Sequence, residues 1–439
     1  MGGTGELREF LVVGGGIAGA SAGWHLARTG HRVTLLEAER AVGAHATGRS
    51  SALFSEYFGN AAVRALTRAS RAFYATPPLG FTGTALLAPR GVLALETPGT
   101  EAEFEAARAS GADAPEPAVE VDAVRARELC PALRPDAFRR ALHKPGARDI
   151  DVDAAHQGFL RGVRAAGGAV VTGARVVALA RRGGRWHATA AAPRGRAAGG
   201  GEPAGAVREF TADAVVNAAG AWADEVAALA GAGPAGLVPR RRTAVLVAVP
   251  EPGGATGAGT GGGPPGGASG APGGSPRSGF PPAAVARWPL VTDVADTFYA
   301  KPESGGLLLS PADATPAPPG DARPDDLDVA LAVARFEAVT TLRFHGVRAR
   351  WAGLRTSTTD DTPVIGPDPE VPGLHWLAGL GGYGIQTAPA AGALLAARAT
   401  GGGPPHGRDP ADPGTTPPGA ALPYPRHTRT PGESTQTCR

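Results

Sequence analysis

The stretch FLVVGGGIAGASAGWHLARTGHRVTLLEAE, residues 10–39, constrains this chain more than any other part of it. Four apolar residues run into Gly14-Gly15-Gly16, a small-residue apolar segment follows, Gly30 stops it, and RVTLLE resumes a strand pattern ending in an acid. Gly14, Gly16 and Gly19 form G-x-G-x-x-G between a strand and a helix start. Gly14 permits the tight turn, Gly16 lets the backbone approach a pyrophosphate, and Gly19 lets the helix pack closely. The pyrophosphate then rests on unpaired amides of the helix start, around Ile17 and Ala18. Glu37, followed by Ala38, lies where a carboxylate accepts hydrogen bonds from a ribose. In a chain with 66 glycines the three alone would be a chance turn. Strand, glycines, helix, strand and acid in order argue for an adenine dinucleotide, NAD or FAD.

A length of 439 residues allows a large core and two domains. The net charge is only +3, and arginines carry nearly all the positive charge, interleaved with acids; lysine occurs only at Lys144 and Lys301. Such scatter reads as a solvated surface and argues against nucleic-acid binding. Cys130 and Cys438 have no partner at metal spacing, so neither a metal nor a disulfide framework is expected, and a reducing cytoplasm is the expected location. MGGTGELREF lacks the apolar core of a signal peptide, and no apolar run approaches the roughly 20 residues that span a bilayer.

Glycine and proline dominate residues 251–282, and the tail 401–439 has the same character, so both read as disordered. A third flexible loop is expected at 192–206. Between them, GGAVVTGARVVALARRGGRWHATA reads as strands with a Gly183-Gly184 hairpin turn. AVVNAAG reads as a buried strand before a helix, and PDDLDVALAVARFEAVTTL as a helix with Asp325 and Asp326 at its positive end. Strands RWAGLR and HWLAGL, the loop GGYG and a helix from Ile385 to Thr400 complete the folded part.

Four features favour FAD over NAD. The loop RAVGAHATGRSSA, with Arg49, Ser50 and Ser51, can follow the rest of a long cofactor where an NAD domain would proceed to further strand–helix units. GARVVALA can lay the backbone of Val176 and Val177 beside an adenine. DAVVNAAGAW puts Ala218, Ala219, Gly220 and Trp222 at a strand end that must approach the cofactor. LAGLGGYGIQT is a second glycine turn feeding a helix start, and the N–H groups of Gly381, Gly382, Tyr383, Gly384, Ile385, Gln386 and Thr387 are expected to face a flavin ring.

On GGGIAGASAGWHLA, ATGRSSA, VRALTRASRAF, DIDVDAAHQGFLRGVR, VVNAAGAWAD, PRRRTAVLV, TFYAKPESGGLLLSPAD, WAGLRT and GGYGIQTAPA, the chain resembles the D-amino-acid oxidase-like family of FAD-dependent oxidoreductases over roughly residues 8–400. Within that family it is most similar to the D-arginine dehydrogenase type. The resemblance implies an α/β fold: a discontinuous Rossmann-like FAD-binding domain (1–75, 145–235, 346–400) and a second domain on an antiparallel or mixed sheet (76–144, 236–345). It also implies noncovalent FAD, since neither cysteine matches a flavin-linking position.

Oxidising an amino acid to an imine, which hydrolyses to a 2-oxo acid, requires Cα–H to face flavin N5 while the carboxylate is held, a task suited to a guanidinium fork. The resemblance points to Arg355, beside Gly353, and Arg242 for the carboxylate, with Tyr299 adding a hydroxyl. The Gly382 carbonyl is expected to take the amine. The D-arginine dehydrogenase type leads us to expect a His, a Tyr and an acid where this chain has Leu53, Phe58 and Val92. That departure predicts a substrate side chain that is uncharged and hydrophobic, because an unpaired buried guanidinium is costly. Oxygen or a quinone-like acceptor would reoxidise the flavin. Oxidation of a secondary or N-methyl amine, or of another carboxylate-bearing intermediate, is the alternative; an NAD dehydrogenase shares the opening motif but lacks the GGYG helix.

Overall fold

A computed structural model describes residues 7–110, 112, 114–192, 206–249 and 279–401. Most of the glycine-rich segment, the 192–206 loop and the tail therefore lie outside the described residues. The runs FLVV, TLL, AVVN and LHWLA become strands of one six-stranded sheet, ordered 364–367, 374–378, 214–217, 9–13, 32–36, 169–171. All its pairings are parallel except that of Val364–Pro367 with Leu374–Ala378. Parallel strands are covered on both faces, which is why these runs are almost continuously apolar. Val12, Leu35 and Val216 are fully buried, and such side chains contribute about 1.5–3 kcal/mol each on burial.

Helix Ile17–Arg28 lies across this sheet against the C-terminal helix Gly384–Thr400, where Ser21 Oγ donates to the Ala388 carbonyl at 2.7 Å. Gly183 and Gly184 take positive φ and turn Arg175–Arg182 back on Arg185–Ala191, and Val207–Ala212 completes a three-stranded meander. In helix Asp326–Val339, Asp325 caps the first turn by accepting from the Leu327 amide at 2.9 Å.

The second sheet has eight strands in the order 347–357, 238–247, 306–310, 299–303, 290–293, 92–95, 140–144, 119–122. It is mixed: Leu290–Asp293 runs parallel to Val92–Leu95, and the other neighbours are antiparallel. One segment departs from the sequence expectation. Val347–Ser357, grouped by sequence with the cofactor domain, is hydrogen-bonded along Val238–Val247 in this sheet. A ten-residue antiparallel ladder outweighs proximity in sequence. Among the described residues, no helix is long and apolar enough to cross a membrane.

Candidate functional site

A groove enclosing roughly 1390 Å³ of empty space, its open mouth included, runs from the first glycine turn to the last. At its start Gly14 holds φ +113°, and a β-carbon there would stand 2.3 Å from the Ala218 carbonyl oxygen. A β-carbon on Gly19 would lie 2.0 Å from the Gly14 oxygen, so the helix and the turn touch through backbone alone. The Gly15 amide donates to Glu37 at 2.8 Å, and the Ile17 amide to Thr47 Oγ1 at 3.0 Å. Thr47 went unnoticed in the sequence because a residue 30 positions away has no local signature. The amides of Gly16 and Ala18, which line the groove, remain for a diphosphate. Burial raises the Glu37 carboxyl above its ordinary range, against the pull of the Glu39 and Gly15 amides.

Ala38, Val176, Ala218, Ala219, Gly220 and Trp222 line the same groove, with His45 4.7 Å from the Trp222 ring. Gly353, Thr356, Gly381 and Gly384 wall the far end, and the buried Thr356 Oγ1 has no hydrogen-bond partner among the described residues. An acid at one end, unpaired amides in the middle and a side-chain-free wall with an unsatisfied hydroxyl at the other fit an extended FAD.

Several side chains expected at the cofactor are placed otherwise. Arg49 borders the groove, but its guanidinium is spent on Asp321 and on the Ala44, Ala322 and Ala352 carbonyls. Ser50 and Ser51 do not line the groove. The Val177 side chain is 44% exposed, beside a β-bulge that interrupts the alternation between Val176 and Ala178. Ile385 and Thr387 are core side chains. Gln386 accepts from the Ser55 amide and donates to Thr67 Oγ1, both at 3.0 Å, so it braces the fold and does not face the groove. Only the amides at this helix start can serve a ligand.

Beyond the groove stand the proposed substrate groups. Arg242 pairs with Gly353 across the ladder, so Arg355, two residues further along, projects from the same face. Arg242 Nε donates to the Asp313 carbonyl at 2.7 Å. Burial, and then the charge of Arg355, push the Arg242 guanidinium below its usual range. Gly382 lies against Arg355, and Tyr383 feels both arginines. Tyr299 belongs to one apolar cluster with Val92, against which Leu53, Phe58 and Trp351 pack. The three departures marked in the sequence therefore meet in or against one buried apolar cluster.

Two further groups there were missed. Asp296 sits on strained backbone with φ +52° and is exposed; desolvation raises its carboxyl, while Arg242 and Arg355 pull it down. Lys144 Nζ stands 4.6 Å over the Phe58 ring. The apolar cluster thus has a charge beside it. Both residues reach the site through loop and register choices that composition does not encode.

Residues 9–398 match the family profile described as DAO, FAD dependent oxidoreductase. A curated relative, FAD-dependent oxidoreductase domain-containing protein 1 of Bos taurus, is 28% identical over 201 residues, which are 42% of this chain and 34% of that protein. The match thus spans about a third of the relative's length. Glycine oxidase from Geobacillus kaustophilus superposes with a TM-score of 0.69 at 22% identity, covering 90% of this chain and 95% of its own. L-proline dehydrogenase from P. horikoshii gives 0.69 at 20% identity, covering 90% and 93%. Identities this low establish a shared fold.

Proposed function

The chain belongs to the DAO family of FAD dependent oxidoreductases, and from that premise we propose that it oxidises the amine of a small carboxylate-bearing substrate, foremost a D-amino acid whose side chain is not cationic. The observation that carries the proposal is the placement of Arg242 and Arg355 on one face of adjoining strands, where the groove ends. Similarity to glycine oxidase supports an amino-acid substrate. The D configuration is supported by the sequence resemblance to the D-arginine dehydrogenase type.

FAD supplies a two-electron acceptor when bound. The chain's residues do the rest. Gly16 and Ala18 amides would hold the diphosphate, and Glu37 would take the ribose hydroxyls. Arg242 and Arg355 clamp the substrate carboxylate with charge-assisted hydrogen bonds, and Tyr299 adds a hydroxyl. The Gly382 carbonyl accepts a hydrogen bond from the amine. The positive end of helix Gly384–Thr400 faces the far end of the groove and favours negative charge there. Leu53, Phe58 and Val92 offer no acid to a cationic side chain. The imine formed is hydrolysed by water to a 2-oxo acid and ammonia, and oxygen or a quinone-like acceptor takes the electrons onward. We propose noncovalent attachment, since Cys130 is buried in the core of the second sheet, its thiol pushed up to about 12 by burial.

Anaerobic addition of individual D- and L-amino acids to the purified flavoprotein tests this reading. Bleaching of the flavin's visible absorbance by a D-amino acid other than D-Arg and D-Lys is expected. Bleaching only by secondary amines would favour the alternative substrate class, and a preference for D-Arg would reject the non-cationic pocket.

A further inference from the structure

Lys144 is one of two lysines in a chain that otherwise relies on arginine. The other, Lys301, is equally buried at 4% exposure and is paired at 3.1 Å with both Asp149 and Glu303. Lys144, also 4% exposed, has no such partner: among the described residues its ammonium makes no hydrogen bond or ion pair, and its neighbours are the rings of Phe58 at 4.6 Å and Tyr57 at 5.6 Å. Aromatic faces repay only part of what desolvating an ammonium costs. Burial accordingly pulls Lys144 down to about 8, with Asp296 opposing.

Its direction follows from register. Lys144 lies directly opposite Val92 in an antiparallel ladder, and directly opposed residues leave a sheet on the same face. The Val92 face is the one shared with Tyr299, Leu53 and Phe58. Lys144, Arg242 and Arg355 all act on Asp296, whose carboxylate makes no hydrogen bond among the described residues. Neighbouring acids are engaged elsewhere: Asp293 by Thr297, Asp313 by Thr243, Glu116 by Arg148. Lys144 thus leaves the sheet on the face that carries Val92 and Tyr299, with no acid hydrogen-bonded to it among the described residues.

We propose that Lys144 is a specificity-determining residue that selects an amine carrying a second carboxylate, an acidic α-amino acid or an equivalent dicarboxylate, whose distal carboxylate takes the hydrogen bonds this ammonium lacks. The proposal rests on the amine-oxidation reading and narrows its substrate class from non-cationic to anionic.

Isosteric pairs test it on the FAD-loaded enzyme. D-Glutamate against D-glutamine, and D-aspartate against D-asparagine, differ in charge and scarcely in shape. Half-saturation of anaerobic flavin reduction is expected at least about tenfold lower for an acid than for its amide, as one charge-assisted hydrogen bond implies. Glutarate against glutaramate, followed as a perturbation of the flavin spectrum, reads the same preference without turnover. K144M should bring both ratios to within about twofold, while K144R retains part of the preference. Equal response to acids and amides in the wild-type protein, or a preference that survives K144M, overturns the role of Lys144 and leaves the amine-oxidation reading standing. If no amino acid bleaches the flavin but glutarate still outbinds glutaramate, the anion-selecting pocket stands and the reaction assignment falls. Should K144M not retain FAD, the wild-type glutarate comparison and K144R decide.

Discussion

Arg355 and Gly382 meet so closely that a β-carbon on Gly382 would stand 2.9 Å from Arg355 Nη1 and 3.1 Å from its Cζ. The strand that delivers the guanidinium and the turn that precedes the C-terminal helix therefore set each other's position. Gly382→Ala should displace the guanidinium, because the planar fork has less room to yield than an alkyl chain end. An increase of about tenfold in KM for a carboxylate substrate is expected, with FAD content unchanged. Steady-state kinetics beside the flavin-to-protein absorbance ratio give the answer.

Replacing either arginine by lysine keeps charge but removes the two-pronged contact. R355K and R242K should each lower kcat/KM by roughly 100-fold. The two effects should not add in the double variant, because both groups act on one carboxylate. A double-mutant cycle showing independent effects would place them on different parts of the ligand.

Gly19→Ala should be severe for a different reason. Its added methyl meets the Gly14 carbonyl oxygen at 2.0 Å, a backbone atom with no rotamer to change. Overpacking of this kind costs about 1–3 kcal/mol. The purified variant is expected to carry less flavin and to melt at a lower temperature.

Gln386 separates bracing from cofactor contact. Q386L strips acceptor and donor from the Ser55 amide and Thr67 hydroxyl, and buried groups left this way cost about 1–3 kcal/mol each. Denaturant unfolding should show the loss while the flavin absorbance spectrum stays unaltered. A shifted spectrum with normal stability would return Gln386 to the groove.

The lysine opposite Val92 leaves a trace in stability against pH. Its folded-state value is pulled from 10.5 to about 8, so between those values the unfolded chain binds more protons and stability rises with pH. The rise through this window amounts to about 3 kcal/mol at most. Ligand-free protein carrying K144M should lack this rise when unfolding by urea is compared at the two ends of the window. An identical slope in both proteins would mean that the ammonium is not desolvated.

Local physics made the first turn readable before any coordinates. Gly14, Gly16, Gly19 and Glu37 act within one strand–helix–strand unit, and the demand for positive φ at Gly14 and for bare backbone at Gly19 is written in residue type. Arg242 and Arg355 could be named as carboxylate-binding groups, but their meeting depends on a ladder joining segments more than a hundred residues apart. Whether Gln386 faces a ligand or the core, and whether Val347–Ser357 serves one sheet or the other, turns on which partners are within reach after folding. Lys144 shows the difference most plainly. In the chain it is one cation among many; only its pairing with Val92, which aims the stem at Phe58 and buries it, makes it a charge that no acid holds by a hydrogen bond among the described residues. Short-range conformational preference is a property of residues and can be read from them. Desolvation and charge coupling depend on what surrounds a group, and that is decided when distant strands choose their register.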